Sequence, residues 1–187
     1  MSRPDAPIPT SPQSPYPITE RNVHIVAGFG RGSAELGIPT ANADIKECTH
    51  ISQLDPGVYF GWVKVVADES KLESETKTRE NGVEVEYGYG LGLTKGVDTE
   101  VVLPTVLSIG WNPFYGNKEK AVELHIMHSY PKNFYGALVD FTVLGYIRPE
   151  LNYTTKEALI KDIQTDIDIG LKTLNTPEYE KYKAEIA

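Results

Sequence analysis

The sequence predicts a mainly β protein whose antiparallel strands close into a barrel, followed by a C-terminal α-helix. Short apolar or alternating runs, separated by Gly, Pro and Asn, fill the first three quarters of the 187 residues, and this pattern is typical of antiparallel strands. The alternation of strand and helix that marks a parallel sheet does not occur there. About six or seven strands of this length lose their exposed edges best by closing into a barrel.

The individual strands are expected where apolar residues alternate with polar ones or form short runs between turn residues. They are predicted near Asn22–Ala27, Thr40–Ile45, Val58–Val66, Val85–Leu93, Val101–Ile109, Val122–His128 and Leu138–Tyr146.

One long helix is predicted after the last strand. Thr154 and Glu157 have the spacing of a capping box at its start. Apolar residues then recur at helical spacing and indicate a face that packs on the core: Leu159, Ile160, Ile163, Ile167, Leu171 and Leu174. A second start signal, Thr176 before Pro177, predicts a short terminal helix.

Two segments are expected to lie outside the folded core. The first 17 residues contain six prolines and little that could pack, so we predict a disordered tail over residues 1–20 and a single domain over residues 21–187. Residues 68–82 are rich in Glu, Lys, Ser and Thr, and they predict a polar insertion, either a solvated hairpin tip or a disordered loop.

The composition excludes several classes of partner. Eighteen basic residues stand against 26 acidic ones, for a net charge of −8, which disfavours binding of nucleic acid. No apolar run reaches the length of a membrane helix. A single cysteine, Cys48, fits a reducing compartment. We therefore expect a cytoplasmic protein, with association with mitochondria left open, and a monomer.

The run Gly28-Phe29-Gly30-Arg31-Gly32-Ser33, followed by Pro39-Thr40-Ala41-Asn42, is the most informative part of the chain. Glycines let backbone amides approach an anion, and Arg31 adds charged donors, so the first part suits phosphate oxygens. If Thr40 to Asn42 is extended, its hydroxyl and amide oxygens lie on one face and suit a hard cation such as Mg²⁺. Both ligands are neutral, so the metal should arrive with a nucleotide. A mobile loop between strands is the alternative reading of the glycines alone.

Glu123 is the candidate for proton transfer. It lies in the predicted strand Val122–His128 between apolar neighbours, and if its face lines a cavity, loss of solvent raises the pKa of the carboxylate toward that of a useful base. A glutamate on the solvated face of a strand remains the alternative. A zinc site is disfavoured because His125 and His128 would point to opposite faces of a regular strand.

Aromatic side chains on three loops suit a planar substrate ring, although barrel packing would also explain them. They are Trp111, Phe114, Tyr115, Phe134, Tyr135 and Tyr146, with Asn112 and Arg148 available to orient a ring.

Taken together and in this order, these segments resemble the riboflavin kinase family, in its monofunctional eukaryotic type. The resemblance covers about Asn22 to Leu174. Its anchors are Gly28–Asn42, Ser108–Pro113, Glu123–His128, Phe134-Tyr135-Gly136 and Gly145–Glu150.

The resemblance implies a closed six-stranded Greek-key barrel and transfer of the γ-phosphoryl group of ATP to riboflavin, giving FMN and ADP. It implies that Thr40 and Asn42 bind Mg²⁺, with Zn²⁺ and Mn²⁺ as alternatives, and that Glu123 is the catalytic base. ATP would be bound by Gly28, Gly30, Arg31, Gly32, Ser33, Pro39, Thr40, His128, Phe134 and Tyr135. Riboflavin would be bound by Trp111, Asn112, Tyr115, Arg148 and Glu150.

Two features depart from the family pattern. Ala34 stands where many relatives have a lysine, and the stretch from Asp68 to Leu103 is longer than the usual strand connection. Two other functions are alternatives to a kinase. A second activity that adenylylates FMN is disfavoured because the predicted tail leaves no room for a second nucleotide-binding domain. A non-catalytic flavin- or nucleotide-binding barrel is the other, and an assay for FMN and ADP separates it from a kinase.

Overall fold

The computed structural model describes residues 3–27, 40–79, 81–111 and 119–187, and within them the chain forms eight β-strands and two α-helices. The strands are Ile18–Val26 (β1), Ala41–Ala43 (β2), Gly57–Val66 (β3), Glu75–Thr78 (β4), Glu84–Tyr87 (β5), Val102–Trp111 (β6), Lys120–Ile126 (β7) and Leu138–Arg148 (β8). The helices are Lys156–Leu174 (α1) and Pro177–Glu180 (α2), and short 3-10 turns lie at Ile45–Glu47, Ile51–Gln53 and Lys181–Glu185.

Six of these strands close into an antiparallel barrel in the order β1-β2-β7-β6-β3-β8. Strands β3, β6 and β7 follow one another along the chain of the barrel and lie side by side. Strand β8 then returns to pair with the other side of β3, so these four strands form a Greek key. The predicted barrel and its C-terminal helix are confirmed. Closure leaves no exposed barrel edge, as the strand count indicated.

The differences from the expected strand bounds are largest at two strands. Strand β1 begins at Ile18 rather than Asn22, because Ile18 to Glu20 pair with β8 before the register shifts. The expected strand at Val85–Leu93 is shorter and lies outside the barrel, since β5 pairs only with β4 in a two-stranded sheet. Strand β4 of that hairpin lies within the polar segment expected over residues 68–82, and its side chains are exposed.

Apolar residues are buried on both surfaces of the barrel wall. The interior is filled by one cluster that includes Leu107, Leu124 and Val139. A second cluster lies outside, where α1 and α2 cover β3, β6 and β8, and it includes Phe60 and Trp62. Strand β3 is therefore buried on both faces over most of its length.

Helix α1 starts one residue later than its predicted capping box. Thr155 is the N-cap, and its hydroxyl accepts from the Ala158 N–H. The innermost residues of the helix are Asp166, Gly170 and Leu174. Gly170 allows the close approach, because a Cβ there would lie 3.1 Å from Val106. The face that packs on the barrel thus includes a carboxylate.

Residues 3–17 contact the folded domain, which differs from the expected disordered tail. The Ala6 N–H donates to the Ile147 carbonyl at 2.9 Å, and the Tyr179 hydroxyl donates to the Pro9 carbonyl at 2.7 Å. Ile8 packs on the outer cluster. A proline-rich segment loses little conformational entropy when it becomes ordered, so a few such contacts are enough to fix it on the domain.

Two further expectations concern single features. Cys48 is buried, and burial raises its pKa to about 12, so it remains a thiol at neutral pH. Among the described residues no helix has the length and apolar content needed to span a bilayer.

Candidate functional site

Strand register brings three polar side chains into one row on the outer face of the barrel. Asn42 on β2 is paired with Glu123 on β7, and Glu123 is paired with Ser108 on β6. Their neighbours Ala41 and Leu124 belong to the interior cluster. Because side chains alternate along a strand and opposite residues share a face, Asn42, Glu123 and Ser108 project outward side by side.

A cleft of about 560 Å³ lies above Ser108 and Glu123, between the barrel wall and α1, and Asn42 does not line it. We call it the helix cleft. Its walls are Thr40, Val58, Val106, Leu107, Ser108, Glu123, His125, Arg148, Glu150, Leu151, Asn152, Tyr153, Leu159, Ile163 and Asp166. Four residues predicted for the site, Thr40, Glu123, Arg148 and Glu150, therefore meet in one cavity.

Two carboxylates in the helix cleft have raised pKa values. Burial raises the pKa of Glu123, and the negative charge of Glu150 raises it further, while a hydrogen bond from the Ser108 hydroxyl opposes the shift. Burial also raises the pKa of Glu150, against the opposing charge of Arg148. Glu123 is therefore a stronger base than an exposed glutamate, as a proton acceptor for an alcohol needs to be.

Glycine at position 110 lets Glu150 approach the strand. A Cβ on Gly110 would lie 2.1 Å from Oε1 of Glu150. Gly110 follows Ser108 by two residues on β6, so both face the same side of the wall. The close packing of Glu150 on β6 keeps its charge near Glu123.

Arg148 enters the helix cleft from the end of β8, and a carboxylate of α1 holds it. Its Nε lies 3.0 Å from Oδ1 of Asp166, and its Nη2 lies 2.8 Å from Oδ2. Both side chains are buried, at 4% and 2% exposure. Such a bidentate pair fixes the guanidinium plane. The remaining N–H groups of Arg148 are the ones that a ligand in the cleft could use.

A second cavity, of about 360 Å³, lies on the other side of Thr40. We call it the aromatic cavity, and it is lined by Ile25, Thr40, Ala41, Leu124, Ile126, His128, Tyr130, Pro131, Lys132, Asn133, Phe134 and Tyr135. The rings of His128 and Tyr130 meet edge to face with centroids 4.6 Å apart, and Phe134 continues the stack at 4.6 Å from Tyr130. Such a wall suits a planar base.

His128 is held by the inserted stretch 68–103. Its Nε2 lies 2.7 Å from Oδ1 of Asp98, and the other oxygen of Asp98 accepts from the Thr94 N–H at 3.0 Å. Asp98 is buried, with 5% of its surface exposed. The longer connection thus supports one wall of the aromatic cavity.

A third cavity, of about 830 Å³, lies between the β4–β5 hairpin and residues 132–135. It shares Lys132, Asn133 and Tyr135 with the aromatic cavity. Its other charged lining residues are the acidic Glu73, Glu84 and Glu86, so it offers little to attract a phosphate.

The predicted metal ligands fit a cation that arrives with its own anion. Among the described residues no group of three or more His, Cys, Asp or Glu could hold a metal ion. Thr40 and Asn42 offer neutral hard oxygens, the ligand type that Mg²⁺ prefers. Thr40 borders both cavities, and Asn42 is paired with Glu123.

Several predicted residues lie apart from these cavities or outside the described chain. Trp111 lines neither the helix cleft nor the aromatic cavity. It is 48% exposed, and Nζ of Lys120 lies 5.3 Å from its ring centroid. Asn112, Tyr115, Gly28, Gly30, Arg31, Gly32, Ser33 and Pro39 lie outside the described residues, so their roles remain predictions.

Sequence reasoning missed three side chains that support the cavities. Asp166 gave a signal, because it interrupts the apolar face of α1. Ser108 was noted only as part of a motif, since its contact with Glu123 depends on the β6–β7 register. Asp98 gave no signal, because a polar loop residue looks the same whether or not it is buried.

The riboflavin kinase (Flavokinase) family model matches residues 14–174. The chain is similar to "Riboflavin kinase" of Scheffersomyces stipitis, 55% identical over 98% of this chain and 99% of the relative. It is also 55% identical to "Riboflavin kinase" of Kluyveromyces lactis, over 96% of each chain.

A solved structure, "Crystal structure of riboflavin kinase from Trypanosoma brucei", has the same fold, with a TM-score of 0.60 at 22% identity over 91% of this chain and 88% of that chain.

Proposed function

Because this chain belongs to the riboflavin kinase family, we propose that it transfers the γ-phosphoryl group of ATP to the 5′-hydroxyl of riboflavin at the junction of the helix cleft and the aromatic cavity. One observation carries the proposal: Thr40 lines both cavities, and Glu123 lies in the helix cleft on the neighbouring strand. Two substrates in adjoining cavities would meet beside a base. Products are FMN and ADP.

Riboflavin occupies the helix cleft in this proposal. The volume of about 560 Å³ lies within the range of small-molecule sites, roughly 300–1,000 Å³. Apolar side chains such as Val106, Leu159 and Ile163 would face the ring system, while Arg148 and Glu150 would orient its polar edge. The ribityl chain would then run toward Glu123.

Glu123 is the general base. Its carboxylate accepts the proton of the attacking hydroxyl as the new O–P bond forms and the bond from the γ-phosphorus to the bridging oxygen breaks, which releases ADP. The raised pKa of Glu123 suits that task. Ser108 holds the carboxylate from the side. Base catalysis of this kind contributes about 10²–10⁴-fold, and alignment of two bound substrates supplies much of the remainder.

ATP occupies the aromatic cavity, with the adenine against His128, Phe134 and Tyr135 and the phosphates toward Thr40. Backbone amides and Arg31 of the predicted run Gly28–Ser33 would cover the phosphates. Thr40 and Asn42 would hold a divalent ion, for which we propose Mg²⁺ rather than Zn²⁺ or Mn²⁺. A bound Mg²⁺ neutralises charge on the phosphate oxygens during transfer.

A product assay tests this function. The protein incubated with riboflavin and MgATP should form FMN and ADP in equal amounts, whereas a non-catalytic flavin-binding barrel would form neither. Glu123→Gln should bind both substrates within about twofold of wild type and turn over at least about tenfold more slowly, because it cannot accept the proton.

The matched control is Glu157→Gln, which alters an exposed carboxylate on α1 and should leave kcat unchanged. Near-normal FMN formation by Glu123→Gln would remove Glu123 from the mechanism.

The remaining expectations concern the whole protein. We propose a monomer that acts in the cytoplasm, with association with mitochondria left open, and that has no nucleic-acid partner. The acidic balance, net −8, supports the last point. Light scattering at working concentrations checks the monomer.

A further inference from the structure

Arg3 of the N-terminal segment does not line the helix cleft, but it contacts Asp166, which does. Nη2 of Arg3 lies 2.6 Å from Oδ1 of Asp166, the carboxylate that holds Arg148. Nη1 of Arg3 donates to the backbone carbonyl of Asp162 at 2.9 Å and lies 3.6 Å from its carboxylate.

Asp162 holds a second side chain of the same cleft. The Tyr153 hydroxyl donates to Oδ2 of Asp162 at 2.6 Å, and the guanidinium of Arg148 lies 5.9 Å from the Tyr153 ring centroid. Nε of Arg3 also lies 2.7 Å from Oδ1 of Asp5, within its own segment. The two carboxylates of α1 that Arg3 contacts hold residues that line the helix cleft, Arg148 and Tyr153. Arg3, from outside the cleft, is thus connected through these carboxylates to two side chains that line the cleft.

The centre of this network is buried, whereas the Asp162 side chain is 19% exposed. Asp166 is 2% exposed and Arg3 is 14% exposed at the side chain. A buried carboxylate must be paired, and removal of one partner disturbs the others. Arg148 already supplies a bidentate contact, so Arg3 adds a second, independent anchor for the same carboxylate.

We propose that Arg3 and Asp166 are positioning residues for the riboflavin side of the reaction: the N-terminal segment, through Arg3, holds the two acidic residues of α1 that orient Arg148 and Tyr153 in the helix cleft. This inference rests on the proposed function, because it assumes that riboflavin occupies that cleft. Arg3 touches no substrate and acts only through Asp162 and Asp166.

The segment offers a matched control for simple loss of packing. Another of its contacts with the folded domain joins the Pro9 carbonyl to the Tyr179 hydroxyl on α2 at 2.7 Å. Tyr179→Phe removes that hydrogen bond and leaves the contacts of Arg3 intact. Both variants loosen the same segment, but only a change at Arg3 reaches Asp162 and Asp166.

The test measures the dissociation constant of riboflavin without ATP, by quenching of flavin fluorescence, and that of MgATP by calorimetry. Arg3→Ala should raise the riboflavin constant by about three- to tenfold, the size of a coupling through shared contacts. The MgATP constant should stay within about twofold. Arg3→Lys should recover part of the riboflavin affinity, because it keeps the charge but not the planar fork. Tyr179→Phe should leave the riboflavin constant unchanged even if its melting temperature falls.

Three results would overturn the inference. If wild type forms FMN but Arg3→Ala binds riboflavin with unchanged affinity, the network has only a structural role. The same conclusion follows if Tyr179→Phe loses as much riboflavin affinity as Arg3→Ala. Wild type that neither binds riboflavin nor forms FMN would overturn the proposed function and this inference with it.

Discussion

A carboxylate on the outer face of a barrel strand is ordinarily solvated, whereas Glu123 is half-buried because it lies in the helix cleft. Its neighbours decide its chemistry. Burial and the charge of Glu150 raise its pKa, and the Ser108 hydrogen bond moderates the shift. The alternation along Val122–His128 identified the face, but only the folded chain shows what covers that face.

The pH dependence of kcat should report the Glu123 carboxylate. In the proposed mechanism turnover requires its ionised form, so kcat should fall as the pH drops through its pKa, which burial raises above the ordinary value of 4.5. Neutralising Glu150 removes a negative charge that raises this pKa. In Glu150→Gln the acidic limb of the kcat profile should therefore move to lower pH.

The matched control for that shift is Glu157→Gln, whose kcat–pH profile should coincide with that of wild type. An acidic limb that stays in place, or moves to higher pH, in Glu150→Gln would show that the two carboxylates do not interact in the substrate-bound enzyme.

Among the elements, those defined by local pattern were predicted well and those defined by distant pairing were not. The apolar periodicity of α1 and the alternation in β3, β6, β7 and β8 were sufficient to predict them. The early start of β1 was not predictable, because Ile18 to Glu20 become strand only by pairing with β8. Neither was the contact of Arg3 with Asp166, whose partners are 163 residues apart.

Strand β3 depends on a glycine where it meets β8. The pairing shifts register between Phe60 and Gly61, and a Cβ on Gly61 would lie 1.8 Å from the carbonyl oxygen of Thr142. The backbone of β8 cannot move aside as the end of a flexible side chain can. Gly61→Ala should therefore lower the free energy of unfolding by at least about 2 kcal/mol.

Urea unfolding followed by circular dichroism measures this loss. Gly88→Ala is the comparison, because its added Cβ would make an ordinary 3.5 Å contact with the Asn133 carbonyl oxygen. Equal stability of the two variants would mean that β3 and β8 separate at Gly61 at little cost.

At the scale of the whole molecule, barrel closure produces the site. Strand β2 contributes only three residues, yet it pairs with β1 on one side and β7 on the other. Thr40 precedes it and borders both cavities. The motif Pro39–Asn42 predicted the proposed metal ligands, and the strand Val122–His128 predicted the proposed base. The pairing of Asn42 with Glu123 follows from the β2–β7 register, which no local pattern encodes.

The central claim is that the nucleotide binds in the aromatic cavity and riboflavin in the helix cleft, with the metal held between them by Thr40 and Asn42. Calorimetric titration of Asn42→Ala with MgATP and with riboflavin, under conditions identical to those for wild type, tests it most directly. We predict that the MgATP dissociation constant rises by about tenfold or more, while that of riboflavin stays within about twofold. Equal weakening of both ligands would contradict the account.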